Sequence, residues 1–193
     1  MSEDVLVINT EAPKGTAPVK LTSEPLIVFD DKCSTLKEVM PEFDVKIIKN
    51  AEVQNFIERL KKAMVQYNGL GLSANQCGYR LRMFVMGTSE DQIVCINPRI
   101  LEKEEEPVKM REGCLSHPGL FLNVPRYSRI LVAYHNDRGE EDSHWLEGMT
   151  AQVFQHELDH MNGIDFTDHV KPLALRMAKE KQTKLLKKIK RMK

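Results

Sequence analysis

Residues 156–160 read His-Glu-Leu-Asp-His, an H-E-x-x-H motif inside a stretch patterned as a helix. Four helical steps of about 100° bring the second imidazole within roughly 40° of the first, one turn along. Two neutral imidazoles on one face can share a metal ion, and Glu157 sits close enough to take a proton from water in an open coordination position. The bland alternative is a polar helix face with this spacing by chance. Two ligands leave a site short, because catalytic zinc-type centres usually take three from the protein and keep one position for water or substrate. A metzincin-type protease needs a third His where this chain has Phe166. A thermolysin-like site wants a helical Glu downstream, and the only one, Glu180, lies in a strongly basic segment. The remaining candidate for the third ligand lies upstream, in Glu112-Gly113-Cys114-Leu115-Ser116.

The elements that must position these residues read as α+β. Residues 1–24 lack periodicity and contain Pro13, Gly15 and Pro18, which predicts an irregular arm. Asn50 can cap a helix running to about Tyr67, with Val53, Phe56, Ile57, Leu60 and Met64 on one face. Residues 69–76 follow as a loop, and residues 80–86 and 92–97 read as strands around a turn. Residues 102–106 read as an exposed charged connection. Residues 130–135 and 143–146 flank Asn136-Asp137-Arg138-Gly139, a hairpin turn. Thr150 is a plausible cap for the motif helix, which should end near Gly163, and a last helix runs from about Pro172.

Composition narrows the class. A chain of 193 residues without repeats or a long linker suits one compact domain. The four cysteines, Cys33, Cys77, Cys95 and Cys114, form no C-x-x-C pair or disulfide-framework spacing, which fits a reducing compartment. The acidic start and the short apolar run at residues 5–8 do not make a signal peptide, and the absence of Arg from the first thirty residues argues against a mitochondrial transit peptide. No run approaches a membrane span. A soluble, cytoplasmic protein is expected. The formal charge of zero conceals a split: residues 171–193 carry ten Lys/Arg against one Glu, a balance of +9, which leaves eighteen basic and twenty-seven acidic side chains, or −9, elsewhere.

Three segments taken together resemble the peptide deformylase family. They are Gly69-Leu70-Gly71-Leu72-Ser73-Ala74-Asn75-Gln76, then Glu112-Gly113-Cys114-Leu115-Ser116, then Gln155-His156-Glu157-Leu158-Asp159-His160, in that order over about a hundred residues. The similarity runs from about Pro25 to the C-terminus. It departs from the family pattern at Ser73, where alanine is more usual, and His117 fills a variable position.

The resemblance implies antiparallel sheets packed around a central H-E-x-x-H helix, in a catalytic domain over residues 25–170 followed by a basic amphipathic helix over residues 171–193. It implies Cys114, as thiolate, for the third ligand beside His156 and His160. A Cys/His/His set suits Zn2+, Co2+, Ni2+ or Fe2+, and the family typically works with Fe2+. Glu157 then takes the proton of the attacking water and later delivers one to the departing amine. The Gln76 side-chain amide and the Leu115 N–H donate to the oxygen that turns negative. Gly71 lies against an extended substrate, and Leu70, Leu115 and Val153 form an apolar pocket for a methionine side chain. Without the motif, such apolar residues are more often ordinary core, and a lone Gln76 would be a loop residue bonded to backbone. Glu112 is expected to position the Cys114 loop, and Asp159 to orient a ligand His or face solvent. His117, at the surface or the substrate rim, is left outside the site with His135, His144 and His169.

The implied reaction is hydrolysis of the formyl group from the N-terminal formylmethionine of nascent peptides, with release of formate. The basic tail has two readings: a helix packed on the domain by its apolar side with solvated lysines, and, as the resemblance implies, docking on ribosomal RNA, where the lack of aromatics argues against base stacking. The competing functions are a metallopeptidase or other amidase, and a silent ribosome-associated binding protein.

Overall fold

The computed structural model describes residues 7–8, 19–21, 24–104 and 106–191. Strands β1 (Val7–Ile8) and β2 (Val19–Lys20) pair antiparallel, so the expected irregular arm carries a short ladder. Pro13, Gly15 and Pro18 lie outside the described residues. Helix α1 (Ala51–Gln66) begins where expected: Asn50 Oδ1 accepts the Glu52 N–H at 2.8 Å, satisfying one of the free amides of the first turn. Val53, Phe56, Ile57, Leu60 and Met64 are all buried on one face, as their helical spacing requires.

That face packs on strands β3 (Gly71–Ser73), β4 (Met83–Gly87) and β5 (Gln92–Glu104). A second pair of strands, β6 (Val108–Gly113) and β7 (Phe121–Arg126), forms its own antiparallel sheet. Strands β8 (Arg129–His135) and β9 (Glu141–Glu147) complete a five-stranded antiparallel sheet in the order β3-β4-β5-β8-β9. Helix α2 (Gly148–Met161) carries the H-E-x-x-H motif. It buries Phe154 against Phe84 and Tyr134 of the large sheet and reaches the small sheet through Gln152, whose Nε2 donates to the Arg111 carbonyl at 2.9 Å. The motif helix is therefore flanked by both sheets. Helix α3 (Pro172–Arg191) lays Leu175 and Ala178 on Leu120, Leu122, Val124 and Phe166. No helix among the described residues is long and apolar enough to cross a membrane.

Several local expectations are corrected. Residues 69–76 are not a plain loop: Gly71–Ser73 pairs with Met86–Phe84 as β3, and a 3-10 turn over Ala74–Cys77 follows. Residues 102–104 continue β5 rather than leaving it, because bulges between Ile96 and Arg99 and between Ile100 and Glu102 let the strand bend along β8 while still pairing. Strands β6 and β7 had no sequence assignment. Pro125 and a buried Arg126 interrupt the apolar alternation that Leu122 and Val124 begin. Helix α2 starts before Thr150: β9 runs into it through Gly148, at φ +56°, and Glu147 offers no side-chain cap.

A buried metal-type triad at the floor of a cleft

The H-E-x-x-H residues sit on α2, and Cys114 follows β6 in the turn that leads to β7. Among the described residues, the only group suited to holding a metal is Cys114, His156 and His160, with one donor atom from each inside 4.8 Å of the others. Cys114 Sγ lies 3.4 Å from His160 Nε2. Glu112 Oε2 takes His156 Nδ1 at 3.1 Å, which leaves His156 Nε2 to face the thiol. A ligand imidazole held through its other nitrogen by a carboxylate is the usual support of a metal-binding His.

The support extends outwards. Glu112 forms a double bond pattern with buried Arg126, at 2.8 and 3.1 Å, and Arg126 also donates to Asp159 at 2.6 Å. Asp159 pairs in turn with His169 at 2.7 Å. Asp159 thus neither touches a ligand His nor faces solvent freely, and His169 has a defined partner. Arg126 is the residue that sequence reasoning missed: it is 4% exposed, and only the partners from three other segments explain a buried arginine there. Glu112 does more than hold the Cys114 turn, since it binds β7 and α2 to each other. Burial works against its charge, but the bonds from His156 and Arg126 prevail and bring its pKa down to about 2.

Of the two places expected for His117, the cleft holds and the surface does not: it lines the cleft but is buried, with Nε2 2.7 Å from Asp165 and its ring edge-on to Phe166. Phe166 in turn meets His156 edge-on at 5.7 Å. His144 is exposed and His135 half-buried, both away from the triad.

A cleft of roughly 520 Å³ opens beside the donors and is lined by Cys114 and His156. Gln76, Glu157, Gly71, Leu70, Leu115 and Val153 all line it too, so of the site residues expected from sequence only His160 lies behind its wall. Leu70 is half exposed at its rim, while Gln76 is buried at its floor with Nε2 3.4 Å from Cys114 Sγ. Phe121, with Arg111 stacked 4.6 Å over its ring, and Met149 complete the rim; neither was singled out from sequence, since nothing in an exposed Phe or Met marks a cleft. Burial pushes the Glu157 carboxyl up to about 7, and its Oε2 has no partner among the described residues. Burial also lowers the pKa of His160 well below the usual value. For His156 burial acts in the same direction, but the Cys114 and Glu112 contacts outweigh it and raise the pKa. Gly71 is glycine for want of space: a Cβ there would lie 2.8 Å from Glu157 Cγ and Cδ, and closer still to Oε1.

A half-buried thiol, two buried imidazoles and a buried carboxyl beside a cleft are the parts of a metal-assisted amide hydrolase. Comparisons with known proteins agree. The family model described as polypeptide deformylase matches residues 24–176. The peptide deformylase of Aquifex aeolicus is 46% identical over 142 residues, covering 70% of this chain and 83% of that protein. That of Thermotoga maritima is 42% identical over 135 residues, covering 70% and 82%. Among solved structures, the peptide deformylase of Legionella pneumophila superposes with a TM-score of 0.77 at 31% identity, over 88% of this chain and 99% of that one. The enzyme of Synechococcus elongatus, solved in complex with actinonin, gives 0.77 at 30% identity, over 84% and 90%. Motif, cleft and overall fold thus point the same way, and this chain belongs to the peptide deformylase family.

Proposed function

We propose that this metal-dependent deformylase removes the formyl group from N-formylmethionyl nascent peptides through one divalent cation held by Cys114, His156 and His160, with Glu157, Gln76 and Leu115 acting on the substrate. The observation that carries the reading is the gathering of the Cys/His/His donors beside a cleft that Cys114, His156 and the buried Glu157 carboxyl line. The donors suit a cation: they are already gathered, and the free nitrogen of His156 is turned to them by Glu112. One thiolate and two imidazoles fit Fe2+, Zn2+, Ni2+ or Co2+; Fe2+ is taken as the physiological ion on the family resemblance. When bound, such a cation makes water acidic near neutral pH and polarises an acyl oxygen.

The chain's own residues do the remaining work. Glu157, with its carboxyl near 7, takes the proton of the attacking water and returns one to the departing amine. Gln76 Nε2 and the Leu115 N–H donate to the formyl oxygen as it gains charge. Gly71 lets the main chain of β3 come close to Glu157 and to an extended peptide. Leu70, Leu115 and Val153 receive the methionine side chain. Residues 25–170 act as the catalytic domain, and the basic segment 171–193, which contains α3, docks on ribosomal RNA in the cytoplasm, a reading supported by its ten basic side chains.

The test is formate release from a formyl-Met tripeptide by protein loaded anaerobically with Fe2+ or Zn2+. Glu157→Ala should keep its metal and lose about 10²–10⁴-fold in turnover. No release from metal-loaded wild type would sink the substrate assignment. An unimpaired Glu157→Ala would sink the acid–base role alone.

A further inference from the structure

Ser73 ends β3 with no exposed surface, at the junction where the chain turns into the 3-10 turn bearing Gln76. Both of its donors converge on one atom: the Ser73 N–H and the Ser73 Oγ each lie 3.0 Å from Gln76 Oε1. A side-chain carbonyl oxygen has two lone pairs, and here both are engaged. Because the amide is planar, fixing Oε1 also fixes Nε2. That nitrogen is 3.2 Å from Ser116 Oγ and 3.4 Å from Cys114 Sγ. The flipped amide would set Nε2 against the Ser73 N–H, two donors facing each other, and turn Oε1 onto the sulfur. The two hydroxyls could serve either orientation, but the Ser73 N–H can only donate, so it sets the orientation and the Ser73 hydroxyl reinforces it.

We propose that Ser73 is a positioning residue: its hydroxyl and backbone N–H together lock the Gln76 amide with Nε2 turned into the site, and so set how well the developing oxyanion is held. The proposal rests on the reading of Gln76 as oxyanion donor. Its plain competitor is also visible. The Gln76 side chain takes the Ser73 N–H and the Ser73 side chain takes the Gln76 N–H in return, a complete capping box, so the competing role of Ser73 is to stabilise the turn. The same hydroxyl also faces the Glu157 carboxyl, a second route by which it could act. The three roles differ in what they couple to. A donor aimed at charge that develops only in the transition state affects kcat and leaves KM nearly unchanged. A capping role affects melting temperature, and a role through Glu157 is independent of Gln76.

A double-mutant cycle separates them, read as kcat and KM for formate release from a formyl-Met tripeptide, with thermal melting of each variant. The four proteins are wild type, Ser73→Ala, Gln76→Ala and the double variant, all metal-loaded. Ser73→Ala removes one neutral hydrogen bond and should lower kcat roughly three- to tenfold at constant KM. In the Gln76→Ala background the same change should cost nothing, because the group it positions is gone. Equal losses in both backgrounds, a loss confined to KM, or no loss in wild type would each overturn the proposal. Gln76→Ala alone tests the underlying reading: an oxyanion donor lost should lower kcat about 10²–10³-fold. If that single variant is unimpaired, the Gln76 assignment fails whatever Ser73 does.

Discussion

Gly71 shows how a single missing carbon is tied to the chemistry. Its backbone does not need a left-handed conformation; what it needs is room, since a Cβ would collide with the Glu157 side chain at 2.8 Å or less. Glu157 is buried and lines the cleft, so it makes room for a Cβ only by shifting its carboxyl within the site. Gly71→Ala should therefore displace the carboxyl and lower kcat by at least the tenfold expected from misplacing a catalytic group, while the three metal donors stay where they are. Turnover and metal content of the purified variant check this; full activity would mean that Glu157 has slack the packing does not suggest. The sequence marks Gly71 as a place of close approach, but it could not say to what. The partner comes from α2, more than eighty residues away, and only the fold brings it there.

Between elements, the ion-pair network explains how β6, β7 and α2 hold the triad. Arg126 from β7 joins Glu112 from β6 to Asp159 from α2, and Glu112 alone supports His156. Glu112→Gln leaves the guanidinium buried with half its charge compensation gone, which should cost roughly 3–5 kcal/mol of stability. It should also remove a component of acid sensitivity. The Glu112 pKa falls from 4.5 to about 2 on folding, so its contribution is complete above about 4.5 and is lost as pH falls towards 2. That depression corresponds to roughly 3 kcal/mol. Unfolding free energies of wild type and variant, followed from pH 7 down to 3, should converge; a constant difference would show that Glu112 titrates normally in the fold. The elements legible in the sequence were those with an uninterrupted period: α1, α2, α3, the β8–β9 hairpin, and β4 with the first half of β5. Strands β6 and β7 were hidden because Pro125 breaks their alternation and the inward position after it is Arg126, whose polarity is satisfied only by distant residues. The burial of His117 was hidden for the same reason, since it depends on Asp165 across the fold.

For the whole molecule, the charge split acts as a handle: +9 at the C-terminal end against −9 elsewhere orients the protein towards a polyanion with α3 leading. The described part of α3 is not a free tail, however. Leu175 and Ala178 cover Leu120 and Phe166, and Gln182 Nε2 donates to the Pro118 carbonyl at 2.8 Å, on the rim of the cleft. Deleting residues 171–193 would uncover apolar core beside Phe166, which touches both His117 and His156. Lost ribosome binding in such a truncation would then be confounded with a damaged site. The clean experiment neutralises Lys181, Lys184, Lys188 and Arg191, which are exposed and fall at i, i+3, i+7 and i+10 on one stripe of α3. Changed to Gln, they should leave the melting temperature and tripeptide turnover nearly unaltered, because exposed substitutions usually shift stability by no more than about 0.5 kcal/mol. If that stripe meets RNA phosphates, the slope of log affinity for ribosomes against log salt should flatten by about 3–4, from roughly 0.7–0.9 per contact over the four removed. An unchanged slope, with turnover also unchanged, would exclude the stripe as the docking face and leave α3 as a helix that closes the core around Phe166 and steadies the rim of the cleft.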